Sequence, residues 1–96
     1  MVIIVKNLMR PDSSRLGSLK LSELGGKVAE NVRKRSNNKY IATSTTTGGQ
    51  LKIILKVKNP DTNVYQRSTR DEQNKLAKDL SIFLRTNRIM GDVIVQ

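Results

Sequence analysis

The chain has 96 residues, with 18 Lys and Arg against 8 Asp and Glu, a formal net charge of +10, and neither Cys nor His. This excludes disulfides, thiolate nucleophiles, and imidazole bases or ligands. The aromatics are Tyr40, Tyr65 and Phe83, with no Trp, which argues against an aromatic platform for stacking bases.

The length predicts a single domain over residues 1–96 with a thin core, for which oligomerisation is a source of added stability. Val2-Ile3-Ile4-Val5 is β-branched and reads as a strand. It is too short for a signal peptide or a membrane span, so an intracellular origin and no membrane partner are expected. Pro11-Asp12-Ser13-Ser14 reads as a turn. Leu16, Leu19 and Leu21 then offer a return strand that would close an N-terminal hairpin.

Two readings stay open for Lys20 to Ser36. Leu21, Leu24, Val28 and Val32 recur at helical spacing, with Ser22 as a cap. Against this, Gly25-Gly26 costs a helix roughly 1 kcal/mol per glycine relative to alanine. The alternative is a turn at Gly25-Gly26 and a strand from Lys27.

Lys39 to Thr47, with Tyr40, Ile41, Thr43, Thr45, Thr46 and Thr47, favours a strand. Gly48-Gly49 supplies a hairpin turn, and Leu51 to Lys58 returns. In that run Leu51, Ile53, Leu55 and Val57 share one face, and Lys52, Ile54, Lys56 and Lys58 the other. Asn59-Pro60-Asp61 ends it, because proline cannot donate to the ladder. Thr69-Arg70-Asp71-Glu72 has the spacing of a capping box, and Leu76, Leu80, Phe83 and Leu84 fall on one helical face. That helix should fade over Arg85 to Arg88. Gly91 should interrupt the chain before Val93-Ile94-Val95, which reads as a short terminal strand or an extended apolar tail.

No catalytic constellation emerges. Asp71 and Glu72 are adjacent where a helix N-terminus wants acids. Gly26-Lys27 has Leu21 where a phosphate loop needs an upstream glycine, and Val28 where it needs Ser or Thr. Both glycine pairs read as turns. No carboxylate spacing resembles a calcium loop, so no metal site, cofactor or enzymatic activity is expected.

Charge is more informative. Between Lys20 and Pro60 the bases are Lys20, Lys27, Arg33, Lys34, Arg35, Lys39, Lys52, Lys56 and Lys58, against Glu23 and Glu30, a balance of +7. The helix from Thr69 to Arg88 holds five bases and three acids, a balance of +2, so the positive charge is expected to concentrate on the sheet and not on the helix. The lysine row suits phosphates spaced along a nucleic-acid backbone, and alternate threonines on the neighbouring strand offer hydroxyls to bases or sugars. The competing reading is a solvated face, or an edge strand protected by Lys.

Three stretches together resemble the coat proteins of single-stranded RNA bacteriophages. Gly26-Lys27-Val28-Ala29-Glu30 is similar to that family's third strand. Lys39 to Thr45 with Leu51 to Pro60 is similar to its paired central strands. Ser68-Thr69-Arg70-Asp71-Glu72, Leu76, Leu80 and Leu84, with Asp92-Val93-Ile94-Val95, resembles its C-terminal helix and apolar ending. Val2 to Leu21 fits its N-terminal hairpin. The chain departs from the family between Pro60 and Ser68, where a long loop and a further strand are usual; Asn63-Val64-Tyr65-Gln66 would be a reduced version of that strand.

The resemblance implies an α+β fold, an antiparallel sheet with an N-terminal hairpin and a C-terminal helix, in an intertwined homodimer. It implies a viral coat protein that assembles into a larger shell, packages RNA and resides in the virion after assembly in the host cytoplasm. Its RNA-contact positions carry over to Thr43, Thr45, Lys52, Ile54 and Lys56, with Ile54 departing from the polar residue expected; the lysine row adds Lys58. The helical reading of Ser22 to Ser36 gives instead strand, helix, strand, strand, helix, strand. That is a ferredoxin-like βαββαβ order, used by small nucleic-acid-binding and regulatory domains.

Overall fold

The computed structural model describes residues 2–96. It is an α+β fold of one five-stranded antiparallel sheet and two helices. The elements are β1 (Ile3–Met9), α1 (Ser18–Arg35), β2 (Tyr40–Thr47), β3 (Gln50–Lys58), β4 (Tyr65–Arg67), α2 (Arg70–Thr86) and β5 (Met90–Val95). This is the βαββαβ order of the ferredoxin-like alternative, with β4 inserted between β3 and α2.

The N-terminal hairpin expected from the coat-protein resemblance does not form. β1 pairs with β3 and β5, and the residues expected to return beside it enter α1. Only a trace of the doubling-back survives, an isolated bridge between Met9 and Arg15 and a bond from Leu16 N–H to Leu8 O at 3.2 Å. Gly26–Glu30 is likewise helical rather than a strand. The helix begins at Ser18 with Gly17 as N-cap, so Ser22 lies inside it and caps nothing.

Tertiary packing explains how a helix tolerates Gly25. A β-carbon there would stand 2.9 Å from Ser44 Cβ, so the missing side chain lets α1 lie close on β2. Leu21, Leu24 and Val28 follow the 3.6-residue period into the core. The chain leaves α1 through Asn37 and Asn38 at φ 52° and 66°, a left-handed region that asparagine tolerates well.

The β2–β3 hairpin forms as predicted, in register from Tyr40 opposite Val57 to Thr47 opposite Gln50. Gly48 and Gly49 take φ 55° and 77°, the positive pair that a two-residue turn of matching twist requires. β3 is the most fully paired strand. β2 runs along one side; on the other, β1 pairs with Leu51–Ile53 and β4 with Lys56–Lys58. Between those two partners Ser68 fills the gap, its N–H and Oγ both donating to Leu55 O, at 3.4 and 2.9 Å. The segment read as a reduced strand is thus a true strand, three residues long, beginning at Tyr65.

Gly91 does not interrupt the chain. It lies within β5, where a β-carbon would meet Leu8 Cδ2 at 2.9 Å. At the same end of the sheet the β1–β5 register shifts between Lys6 and Met9, with Asn7 at φ 58°, as in a β-bulge.

Ile3, Val5, Leu51, Ile53 and Leu55 meet Leu21, Leu24, Val28, Leu80 and Leu84 in a single layer between sheet and helices. The stripe expected on α2 is confirmed, with Leu80 and Leu84 buried and Leu76 and Phe83 packed beside them. α2 opens with the expected capping box: Thr69 Oγ accepts from Glu72 N–H at 3.2 Å, and Glu72 Oε1 accepts from Thr69 N–H at 2.8 Å.

Glu72 also accepts a hydrogen bond from the Tyr40 hydroxyl, which ties β2 to the start of α2. The Thr69 amide, then Tyr40, holds the Glu72 carboxyl below its ordinary range, and the same contact raises the Tyr40 hydroxyl. A depressed carboxylate contributes stability that is present above its unfolded pKa and lost as pH falls through the folded one. Thr69→Ala should cost about 1 kcal/mol at neutral pH, read as a lower thermal midpoint. It removes the hydroxyl but keeps the amide that bonds Glu72, so the loss of stability on acidification should persist in the variant.

Candidate nucleic-acid interface

The helices cover one face of the sheet and leave the other open. Strand alternation and register assign the side chains to each. Leu51, Ile53 and Leu55 of β3 are buried beneath the helices, while Lys52 and Lys56 are exposed and Lys58 is half-buried. Across the ladder Lys52 stands between Thr45 and Ile4, Ile54 opposite Thr43, and Lys56 between Ile41 and Arg67. All six residues singled out from the sequence, Thr43, Thr45, Lys52, Ile54, Lys56 and Lys58, therefore lie on this face.

The face holds more than the sequence reading found. Lys6 on β1 and Arg67 on β4 join the lysines, so five cations stand there against Asp92. Asp92 is opposite Lys6 and accepts a hydrogen bond from Asn7 Nδ2 at 2.8 Å. Lys6 was overlooked because the apolar run stops at Val5, although the alternation of Ile3 and Val5 carries one step further. Arg67 gave no local signal; it reaches this face only because β4 pairs beside β1 on the same flank of β3.

Apolar side chains run between the cations. Ile4, Ile41, Ile54 and Ile94 are half-buried at alternate positions of four strands. Of the three aromatics, Tyr65 belongs to this face: its ring crosses β3 at Lys58, and its hydroxyl donates to Asn38 O at 2.7 Å. Tyr40 and Phe83 lie on the helix side, along a groove of about 650 Å³ between α1 and α2.

The charge balance in the centre of the chain requires a correction. Of its nine bases, Lys20, Lys27, Arg33, Lys34 and Arg35 lie in α1, and only Lys52, Lys56 and Lys58 are on β3. The excess is shared between helix and sheet rather than concentrated on the sheet. The two surfaces differ in pairing, however. Among the described residues the ion pairs are Lys20–Glu23 at 3.5 Å and Lys34–Glu30 at 2.9 Å, both within α1. The cations of the open face are not paired in this way.

No group of His, Cys, Asp or Glu among the described residues is arranged to hold a metal ion, and no helix there is long and apolar enough to cross a membrane. Comparison with protein-family models, curated proteins and solved structures finds no match to the chain.

Proposed function

We propose that this chain is a nucleic-acid-binding protein, not an enzyme, and that it grips RNA on the open face of its sheet. The observation that carries this reading is the set of five cations, Lys6, Lys52, Lys56, Lys58 and Arg67, on one flat face with a single acid. Phosphates along a backbone are met by such a set, and condensed counterions are released as they bind. The isoleucines between the cations favour a single strand, whose bases have apolar faces to bury; a duplex would offer that face mainly phosphate and sugar. Thr43 and Thr45 add hydroxyls at the sheet margin for sugars or base edges.

The shell, the virion location and the intertwined dimer were implied only by the coat-protein resemblance. That resemblance depended on Gly26–Glu30 as a strand and on an N-terminal hairpin. Both segments are arranged otherwise here, so RNA binding is retained and the shell is not.

The test is a titration of labelled single-stranded RNA against the protein over a series of salt concentrations. Five phosphate contacts predict that log K falls against log salt with a slope of about −3.5. Absence of binding at low salt would overturn the reading. A slope near zero would show that the cations of this face are not what holds the strand.

A further inference from the structure

β2 is a terminal strand of the sheet. The register tells which of its backbone groups are unpaired. Thr47 and Gln50 flank the two-residue turn, and Lys58 N–H donates to Lys39 O at 2.8 Å. In an antiparallel ladder these fix Ile41, Thr43, Thr45 and Thr47 as the residues bonded to β3. Ala42, Ser44 and Thr46 therefore direct their N–H and C=O groups away from the sheet. The Tyr40 N–H is already served, since it donates to Ser36 Oγ at 3.0 Å.

Natural edge strands are protected by charge, proline or a bulge. β2 has none of these: Tyr40–Thr47 contains no charged residue and no proline, and its register with β3 is unbroken. The opposite edge, β5, carries Asp92 and Gly91 and borders the register shift of β1.

A second observation concerns the helix above the same edge. Gly25 of α1 sits against Ser44, whereas Asn31 and Arg35 line the groove toward α2 on the other flank. At helical spacing, the flank that continues outward past Gly25 carries Ser22, Gly26 and Ala29, with Leu19 two turns before Gly26 and Arg33 two turns after it. A β-carbon on Gly26 would meet nothing within 4 Å. Thus the strand edge is uncharged, and the helix flank over it carries one charge, Arg33 near the C-terminal end of α1, and none at Ser22, Gly26 or Ala29, in a chain with a net charge of +10.

We propose that two copies of this chain pair through β2, antiparallel about a two-fold axis at Ser44, into one continuous ten-stranded sheet. Ala42 would pair with the partner's Thr46, Ser44 with the partner's Ser44, and Thr46 with the partner's Ala42. The pattern of free donors and acceptors is thereby satisfied reciprocally, as an isologous contact requires. A second copy fits better than another partner because this is the side on which two strongly cationic molecules can meet without opposing their lysines. α1 packs on β2 and, less extensively, on β3, so the two α1 helices would be direct neighbours over the joined edge, where small side chains let helices approach closely. The arrangement is side by side: each chain keeps its own core and helices.

The pairing would place the two β3 strands three strand spacings apart, roughly 14 Å. Two rows bearing Lys52 and Lys56 would border a neutral floor of Thr43 and Thr45 from both copies.

The experiment is sedimentation and light scattering of nucleic-acid-free protein over a range of concentrations, so its outcome does not depend on RNA binding. The expected wild-type mass is twice the 10.8 kDa of the chain. Thr46→Pro removes an outward N–H that the β2–β3 ladder does not use, which an edge strand tolerates. Gly26→Lys adds an ammonium group that has open space in one copy but faces its counterpart in the pair. Each variant should show the mass of one chain with an unchanged circular dichroism spectrum. Should Thr46→Pro lose that spectrum, Gly26→Lys decides alone. A wild-type protein of single-chain mass at every concentration would overturn the proposal, as would a folded Gly26→Lys variant that retains the double mass.

Discussion

Replacing Lys52 and Lys56 together by alanine is expected to weaken single-stranded RNA binding roughly 25-fold at about 0.1 M salt. The size follows from counterion release. Each phosphate contact on a single strand contributes about 0.7 to the slope of log K against log salt, so losing two makes it shallower by about 1.4. Extrapolated over the one decade of salt below 1 M, that difference gives the fold-change. Stability should hardly change, because both side chains are exposed and lie across the sheet from the core. Fluorescence anisotropy over a salt series reads both quantities at once. An unchanged slope in a folded double variant would move the contact to the unpaired α1 cations Lys27, Arg33 and Arg35.

Leu80→Asp is expected to cost at least about 4 kcal/mol, adding the lost apolar burial to the desolvation of a carboxylate. Leu80 is 3 % exposed and belongs to the cluster that includes Ile3, Val5 and Leu84. A domain of this size commonly has about 5–15 kcal/mol of stability in total. The variant should therefore melt at least about 15 °C lower or fail to fold. Ile82→Asp is the control on the same helix: Ile82 is 54 % exposed, and its substitution should stay within about 0.5 kcal/mol. Thermal circular dichroism of the pair checks the assignment. Equal effects of the two substitutions would mean that the buried face of α2 is not the one bearing Leu80.

The strength of local signals decided what could be read from the sequence. The β2–β3 hairpin, the capping box at Thr69 and the apolar stripe of α2 depend on residues close in the chain, and each formed where expected. Residues 18–35 could not be settled locally. Gly25 weakens a helix on propensity alone, and only its approach to Ser44, nineteen positions further on, supplies the compensating reason. The short opening strand suggested a hairpin because Leu16, Leu19 and Leu21 follow a turn. Its actual partners, β3 and β5, lie at distances that no turn signal reports.

The interface divides in the same way. Lys52, Lys56 and Lys58 were visible as one alternating row, and strand geometry required them to face away from Leu51, Ile53 and Leu55. Arg67 became part of that face through β4, whose pairing with Lys56–Lys58 is a matter of topology. The charge of α1 was misplaced for the complementary reason: a helix assigned as a strand takes its cations with it.

The pairing of β3 bears on the entropy of recognition. With β2 on one side, β1 and β4 on the other, and Ser68 bonded to Leu55 O between them, this backbone can move only if several neighbours separate together. Its amides belong to the most slowly opening part of such a fold. The anchoring Cα atoms of Lys52 and Lys56 are therefore already fixed before any strand of RNA arrives. Binding would have to immobilise lysine side chains but no loop, which removes a cost that a basic tail of equal charge would have to meet.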